Sequence, residues 1–347
     1  MRALQYLAIG SPPAVVDVPR PRPAAGQVLI RILAAGACHS DLGLMGLDER
    51  HYLRDYPLPL TLGHEAAGEV VEVGEGVDPA RIGDRVLVYA AWGCGSCRMC
   101  LEGKENYCPR ARREGIRAPG LGAPGAMAEY MIVDDVRHLF ALGDLDPVHA
   151  VALTDAGLTA YHAVARALPV LAGDDAVAVV IGVGGLGHVA VQILEALSPA
   201  AVVAVDTKES QRELALRLGA EEAWDADDET LARVLELTDG IGAHAVLDFV
   251  GVQETVDLAT RAASVEAEIG LVGIGGGAAR VGFGRVAHDA AVRVPYWGSR
   301  PELDAVIALA RQGRVAIEVE RFALEDAPEA YRRLAQGSLG GRAVIVP

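Results

Sequence analysis

Five cysteines in a chain of 347 residues sort by spacing into two groups, and each group implies a different metal chemistry. Cys94, Cys97, Cys100 and Cys108 share one run, CGSCRMCLEGKENYC. Thiolates at a C-x2-C-x2-C-x7-C spacing can close a tetrahedral zinc site with four soft ligands and no vacancy, which gives the metal a structural role. Cys38 stands alone in GACHSD, and GHE follows it with His64 and Glu65. A thiolate with an imidazole and oxygen donors suits a zinc that keeps one position for a substrate. A lone histidine is more often a hydrogen-bonded core residue, but a spare cysteine makes His64 a candidate ligand. The other cysteines are used, so a further ligand has to be a carboxylate or a histidine.

A third constellation is IGVGGLG, where Gly182, Gly184 and Gly187 form G-x-G-x-x-G around Val183, Gly185 and Leu186. The pattern alone is weak in a chain with 40 glycines. Its context strengthens it: the apolar run AVAVVIG precedes it, Val189, Ile193 and Leu197 follow at helical spacing, and Asp206 ends the next apolar run, AVVAVD. That is the order of a dinucleotide-binding strand, turn, helix and strand. Gly182 permits the tight turn, Gly184 lets the backbone approach a pyrophosphate, and Gly187 lets helix and strand pack closely. Asp206 can accept hydrogen bonds from both adenosine ribose hydroxyls and repels a 2′-phosphate, with only Lys208 nearby to offset it. NAD is therefore expected over NADP.

These residues need elements to position them. Before about residue 155 the chain is rich in short β-type runs broken by glycine and proline, among them QVLIRILAAGAC, EAAGEVVEVGEGV and DRVLVYA. The stretch from Trp92 to about Pro124 has little apolar periodicity and reads as a long loop stapled by the four cysteines. Beyond Asp155, strand and helix patterns alternate through ESQRELALRLGA, HAVLDFVG and EIGLVGIGG, which predicts an α/β fold with a doubly wound parallel sheet. A helix, PELDAVIALARQG, and a last strand, RAVIVP, end the chain. Hydrophobic residues make up 51% and charged residues 22%, enough for a core, and the net charge of −16 argues against nucleic-acid and anionic-membrane partners. The N-terminal residues lack an apolar signal core, so the clustered cysteines read as metal ligands in a cytoplasmic protein.

GHEAAGEVVEVGEGV fits G-H-E-x2-G-x5-G-x2-V and resembles the zinc signature of the medium-chain dehydrogenase/reductase superfamily. GACHSD, the four-cysteine run, TDAGLTAYHA and IGVGGLG fall in that superfamily's order, and the resemblance covers essentially the whole chain. Within it the chain is most similar to bacterial NAD-dependent zinc alcohol dehydrogenases, particularly those acting on secondary alcohols and ketones. The resemblance implies a GroES-like β-rich catalytic domain over residues 1–155 with a structural zinc lobe at about 92–124, a Rossmann domain over 156–295, and a return segment, 296–347, completing the catalytic domain.

It also implies roles. Cys38 and His64 hold a catalytic zinc, and Asp155 stands where relatives often place a third, cysteine ligand. Glu65 lies close to the metal as a neighbouring or transient ligand. Thr159 sits by the nicotinamide, His39 by the cofactor phosphates, and Arg342 on the pyrophosphate. Ser40 passes a proton from the substrate oxygen toward the ribose hydroxyls. Relatives end that relay in a histidine five positions after the loop cysteine, where this chain has Gly43; His51 is close in number but does not match. Tyr56, Trp92, Leu121, Tyr296 and Trp297 are candidate pocket walls, against even odds of ordinary packing. The expected activity is zinc-dependent oxidation of a primary or secondary alcohol with NAD, with two zinc ions per chain, in a homo-oligomer (tetramer or dimer). A polyol or sugar dehydrogenase of the same superfamily, or an NAD-binding protein without turnover, are the alternatives.

Overall fold

A computed structural model describes residues 1–49 and 56–347; His51 lies outside the described residues. The chain divides into two compact units. One comprises Met1–Asp155, Ser299–Arg311 and Ala316–Pro347, and the other Ala156–Gly298 with Gln312–Val315.

The first unit is built on two main sheets, with a small third one pairing Ala118–Pro119 and Gly122–Ala123. In the larger, strands Leu139–Ala141, Arg85–Val88, Glu65–Val73, Val28–Gly36, Arg342–Val346 and Val319–Ala323 lie side by side, and Tyr130–Val133 also pairs with Val28–Gly36. Strand Val28–Gly36 is buried along most of its length, which explains its nearly continuous apolar run. It pairs antiparallel with Glu65–Val73, with Gly36 opposite Glu65, and with Arg342–Val346, with Gly36 opposite Val344. The ends of three strands from distant parts of the chain therefore meet at one place. The smaller sheet joins Ala14–Asp17, Arg2–Tyr6 and Leu60–Thr61. Leu4, Tyr6, Ile30, Val70, Val88, Met131, Tyr331 and Ile345 share the core.

The second unit carries a six-stranded sheet whose pairings are all parallel. Its spatial order is Glu222–Trp224, Ala201–Val205, Val177–Ile181, Ala243–Asp248, Ala263–Leu271 and Ala291–Arg293. Numbered along the chain this is 3-2-1-4-5-6, the doubly wound arrangement that places a dinucleotide beside its first strand. Val177–Ile181 is wholly buried, as the apolar run predicts, and helix Gly187–Leu197 follows it. No helix among the described residues is long and apolar enough to cross a membrane.

Candidate metal centres and dinucleotide loop

Cys38 follows the end of strand Val28–Gly36 and precedes helix His39–Met45, and His64 immediately precedes strand Glu65–Val73. Asp155 follows the helical turn Val151–Thr154, and Arg342 opens the strand Arg342–Val346. The stretch after Cys38 is helical: Asp41 reaches back to accept the Cys38 N–H at 3.0 Å, half of a capping box that starts the helix despite Gly43. One ligand atom from each of Cys38, His64, Glu65 and Asp155 lies within 4.8 Å of the others, and all four residues are buried.

Zinc held at about 2.0–2.3 Å by tetrahedral ligands needs those ligands roughly 3.3–3.8 Å apart. Cys38 Sγ lies 3.3 Å from Asp155 Oδ2, and His64 Nε2 lies 3.5 Å from the same oxygen. His64 Nδ1 is 3.0 Å from Asp41 Oδ1, which leaves Nε2 for a metal, the usual carboxylate–histidine–metal arrangement. One thiolate, one imidazole and one carboxylate fit a zinc ion with a position to spare.

Glu65 is engaged differently. Both its oxygens meet Arg342, through Nε at 3.3 Å and through Nη2, while Arg342 Nη2 also lies 3.1 Å from Asp155 Oδ2. Two buried carboxylates thus share one guanidinium. Burial pushes the Glu65 carboxyl up to about 8 against the pull of Arg342. For Asp155 burial acts in the same direction, but His64 and Arg342 prevail and hold it well below the usual carboxylate range. Gly36 makes room for this pair: a Cβ there would lie 1.7 Å from Glu65 Oε2. Arg342, only 3% exposed, has its guanidinium at this cluster. Ser40 is half-buried with its Oγ 3.5 Å from Cys38 Sγ, and His39 is exposed at the head of the helix. Although the residue reaches the surface, crowding by neighbouring protein desolvates its imidazole and, with Arg342, lowers it, against Asp41.

The second centre is the four-cysteine lobe. Cys97 and Cys100 approach to 3.4 Å, Cys94 and Cys100 to 3.9 Å, and Cys97 and Cys108 to 3.9 Å, close to the roughly 3.8 Å edge of a zinc tetrathiolate. No disulfide joins them. The segment read as a long loop contains two turns of helix, Arg98–Leu101 and Glu105–Tyr107. Ligand spacing rather than apolar periodicity shapes these turns. Beneath the lobe, buried Glu105 accepts from the Gly93 N–H at 2.9 Å and from Arg137 Nε at 3.1 Å, and meets His138 Nε2 at 2.9 Å. Arg300 Nε lies 3.0 Å from its Oε1. His138 Nδ1 is in turn 2.6 Å from Asp134. Burial opposes charge on both partners, yet hydrogen bonds from His138 and Arg137 hold Glu105 below its usual range, and Asp134 and Glu105 raise His138. Nothing local in the sequence signals this network, whose partners lie 12 to 33 residues from Glu105 and, for Arg300, far beyond that.

Trp92 belongs to this packing. It is 9% exposed, donates Nε1–H to the Tyr89 carbonyl at 2.8 Å and stacks on His138. Tyr56 and Leu121 pack half-buried against the core of the first unit. Tyr296 and Trp297, in the second unit, meet edge to face, Tyr296 exposed and Trp297 buried.

In the second unit, Gly182 adopts φ +84° after strand Val177–Ile181, and a Cβ at Gly187 would lie 1.8 Å from the Gly182 carbonyl oxygen. A Cβ at Gly184 would meet nothing within 4 Å, so the turn is open there. Val183, Gly185 and Leu186 complete the turn, and Thr159 is buried on helix Ala156–Ala167. Asp206 Oδ2 accepts the Val183 N–H at 2.8 Å and Oδ1 accepts the Lys208 N–H at 2.9 Å, which ties the acidic residue to the glycine turn. Arg212 donates to the Asp206 carbonyl at 2.9 Å.

Two family models match the chain: the alcohol dehydrogenase GroES-like domain over residues 24–144 and the zinc-binding dehydrogenase over residues 185–312. A D-arabinose 1-dehydrogenase (NADP(+)) of Saccharolobus solfataricus is 36% identical, with 97% of this chain and 95% of the relative covered. An NAD-dependent alcohol dehydrogenase of Sulfurisphaera tokodaii is 34% identical over the full length of both chains. The solved alcohol dehydrogenase of Aeropyrum pernix superposes with a TM-score of 0.92 at 36% identity, covering 100% of both chains.

Proposed function

Because the chain belongs to the zinc-binding alcohol dehydrogenases of the medium-chain dehydrogenase/reductase superfamily, we propose that Cys38, His64 and Asp155 hold its catalytic zinc and that the turn from Gly182 to Gly187 with Asp206 holds NAD. The observation that carries this is the convergence of a buried thiol, imidazole and carboxylate at zinc-ligand separations. When bound, zinc supplies a Lewis acid to the substrate oxygen and NAD a hydride acceptor.

The chain's own residues do the rest. A thiolate and a carboxylate balance a divalent charge, so the centre is neutral before substrate enters. Glu65, paired with Arg342, stands outside the ligand set and keeps that guanidinium beside Asp155. Ser40 Oγ would accept the alcohol's hydroxyl proton as it passes its own on. Gly43 offers no side chain to receive that proton, so it would go to water or, with the cofactor bound, to a ribose hydroxyl. Thr159 borders the nicotinamide, and His39 lies by the cofactor phosphates. In the first unit Tyr56 and Leu121 are the walls offered for discriminating substrates, while Trp92 serves the packing of the lobe. Cys94, Cys97, Cys100 and Cys108 hold a structural zinc.

The substrate is a primary or secondary alcohol or the matching carbonyl compound. The 36% identical relative named for D-arabinose keeps a sugar as the second reading. We place the protein in the cytoplasm on its unpaired thiols. A homo-oligomer is supported by Val294, exposed directly after edge strand Ala291–Arg293, and by Phe283, 96% exposed in the segment that precedes it. The test is NAD reduction across a panel of primary alcohols, secondary alcohols and pentoses, alongside zinc analysis. Turnover on an alcohol with close to two zinc ions per chain is expected; no turnover on any member, or one zinc per chain, refutes the assignment.

A further inference from the structure

Asp41 is fully buried, and it holds two of the four residues of the mixed cluster at once. Its Oδ1 lies 3.0 Å from His64 Nδ1, and its Oδ2 accepts the Cys38 backbone N–H at 3.0 Å. A third donor comes from far away in sequence: the Tyr331 hydroxyl, 2.7 Å from Oδ2. Tyr331 is 2% exposed on helix Ala327–Ala335, with its ring in the apolar core of the first unit. A phenylalanine would fill that core with no polar atom to satisfy, whereas a buried hydroxyl costs stability unless it is bonded. The hydroxyl has one proton. Met127 Sδ, 3.2 Å away, is a weak acceptor beside a carboxylate, so Asp41 receives it.

We infer that Tyr331 is a positioning residue for the Cys38–His64 metal site, fixing the rotamer of Asp41 so that one oxygen faces the His64 ring and the other the Cys38 backbone. The inference rests on the reading of this cluster as a zinc site. Without the hydroxyl, Asp41 keeps both contacts but can rotate about its Cβ–Cγ bond, and His64 loses a fixed partner. Groups one step behind metal ligands are worth about 10–100-fold in metal affinity. Tyr331 stands one step further back, so the lower end applies.

The experiment is zinc release from the full-length, zinc-loaded protein into the chromogenic chelator 4-(2-pyridylazo)resorcinol. The two metal centres give two phases, and a Cys38→Ser variant, which retains only the lobe phase, assigns them. Tyr331→Phe should accelerate the Cys38-site phase about tenfold and leave the lobe phase unchanged. In an Asp41→Asn background the same substitution should change that phase little, because its target is gone. Met127→Leu, which touches the hydroxyl but not Asp41, should leave both phases alone. An unchanged Cys38-site phase in Tyr331→Phe, equal acceleration of both phases, or full additivity with Asp41→Asn overturns the inference. Unmodified protein that releases only lobe zinc overturns the metal reading itself, and the inference with it.

Discussion

Glu105→Gln should destabilise the four-cysteine lobe more than any neutral-for-charged exchange on the surface. The side chains are nearly isosteric, so the change tests charge and donor pattern alone. Glu105 faces donors from Gly93, Arg137 and His138, with Arg300 as an ion-pair partner at 3.0 Å. A glutamine must point its NH2 at one of these donors. Removing one member of a buried ion pair costs about 3–5 kcal/mol. Arg137 and Arg300 keep 25% and 26% of their side-chain surface exposed, so water recovers part of that, and about 2 kcal/mol remains. For a unit of 150–250 residues this lowers the melting temperature by roughly 4–8 °C. Calorimetry on the zinc-loaded protein measures it, and zinc release from the lobe should quicken in parallel. Glu72→Gln is the control, since the Arg20–Glu72 pair is solvent-exposed and worth about 1 kcal/mol at most. A Glu105→Gln protein melting within about a degree of the unmodified one would show that the network contributes no net stability and that the cysteines alone hold the lobe.

The partner in that network sets a pH dependence. His138 is raised, so its contribution is complete below its unfolded value of about 6.5 and is lost as pH climbs through its native value. Glu105 is lowered, so its contribution is complete above about 4.3 and is lost as pH falls. His138→Gln should therefore flatten the alkaline decline in melting temperature, and an unaltered slope refutes the pairing. Asp206→Gly should reduce the preference for NAD over NADP about 10–100-fold, because it removes charge-assisted hydrogen bonds of about 1.5–3 kcal/mol together with the repulsion of a 2′-phosphate; kcat/KM for both cofactors measures this, and an unchanged ratio contradicts it. Ser40→Ala should lower kcat for alcohol oxidation about a hundredfold with NAD affinity unchanged, and a near-normal kcat at every pH would reduce Ser40 to a pocket wall.

Local chemistry was legible in the sequence and distant contact was not. The four cysteines announce themselves because ligand type and spacing belong to one short run. The glycine turn does so because a buried strand, a turn and a helix follow one another directly. Asp155 came only through family resemblance, since nothing local marks a carboxylate after a helical turn as a ligand. Asp41 carries a local signal: an acid three residues past Cys38 at the start of a helix has the spacing of a capping box. Tyr331 had none, because it meets Asp41 across 290 residues of chain. The engagement of Arg342 with Asp155 spans 187 residues and was equally hidden.

Those long contacts share a direction. Arg300 reaches Glu105 under the lobe, Tyr331 reaches Asp41 behind Cys38 and His64, and Arg342 reaches Glu65 and Asp155. All three residues lie in chain that returns to the first unit after most of the dinucleotide-binding unit. Every cysteine and His64 is in place before that unit begins, as are Arg137 and His138 beside Glu105, yet Arg300, Tyr331 and Arg342 are not. A chain cut after Asp155 would carry every proposed zinc ligand and leave Glu65, Asp155 and Glu105 without a guanidinium that each meets in the whole protein. Glu105 would keep Arg137 and His138, and Asp155 would keep His64, but Glu65 would lose the guanidinium that both its oxygens meet, and a buried carboxylate so left protonates or stays hydrated. The order of the chain thus puts the last guanidinium and hydroxyl partners of both cysteine-containing clusters after most of the dinucleotide-binding unit, so that the first unit, as it stands in the whole protein, includes chain made last.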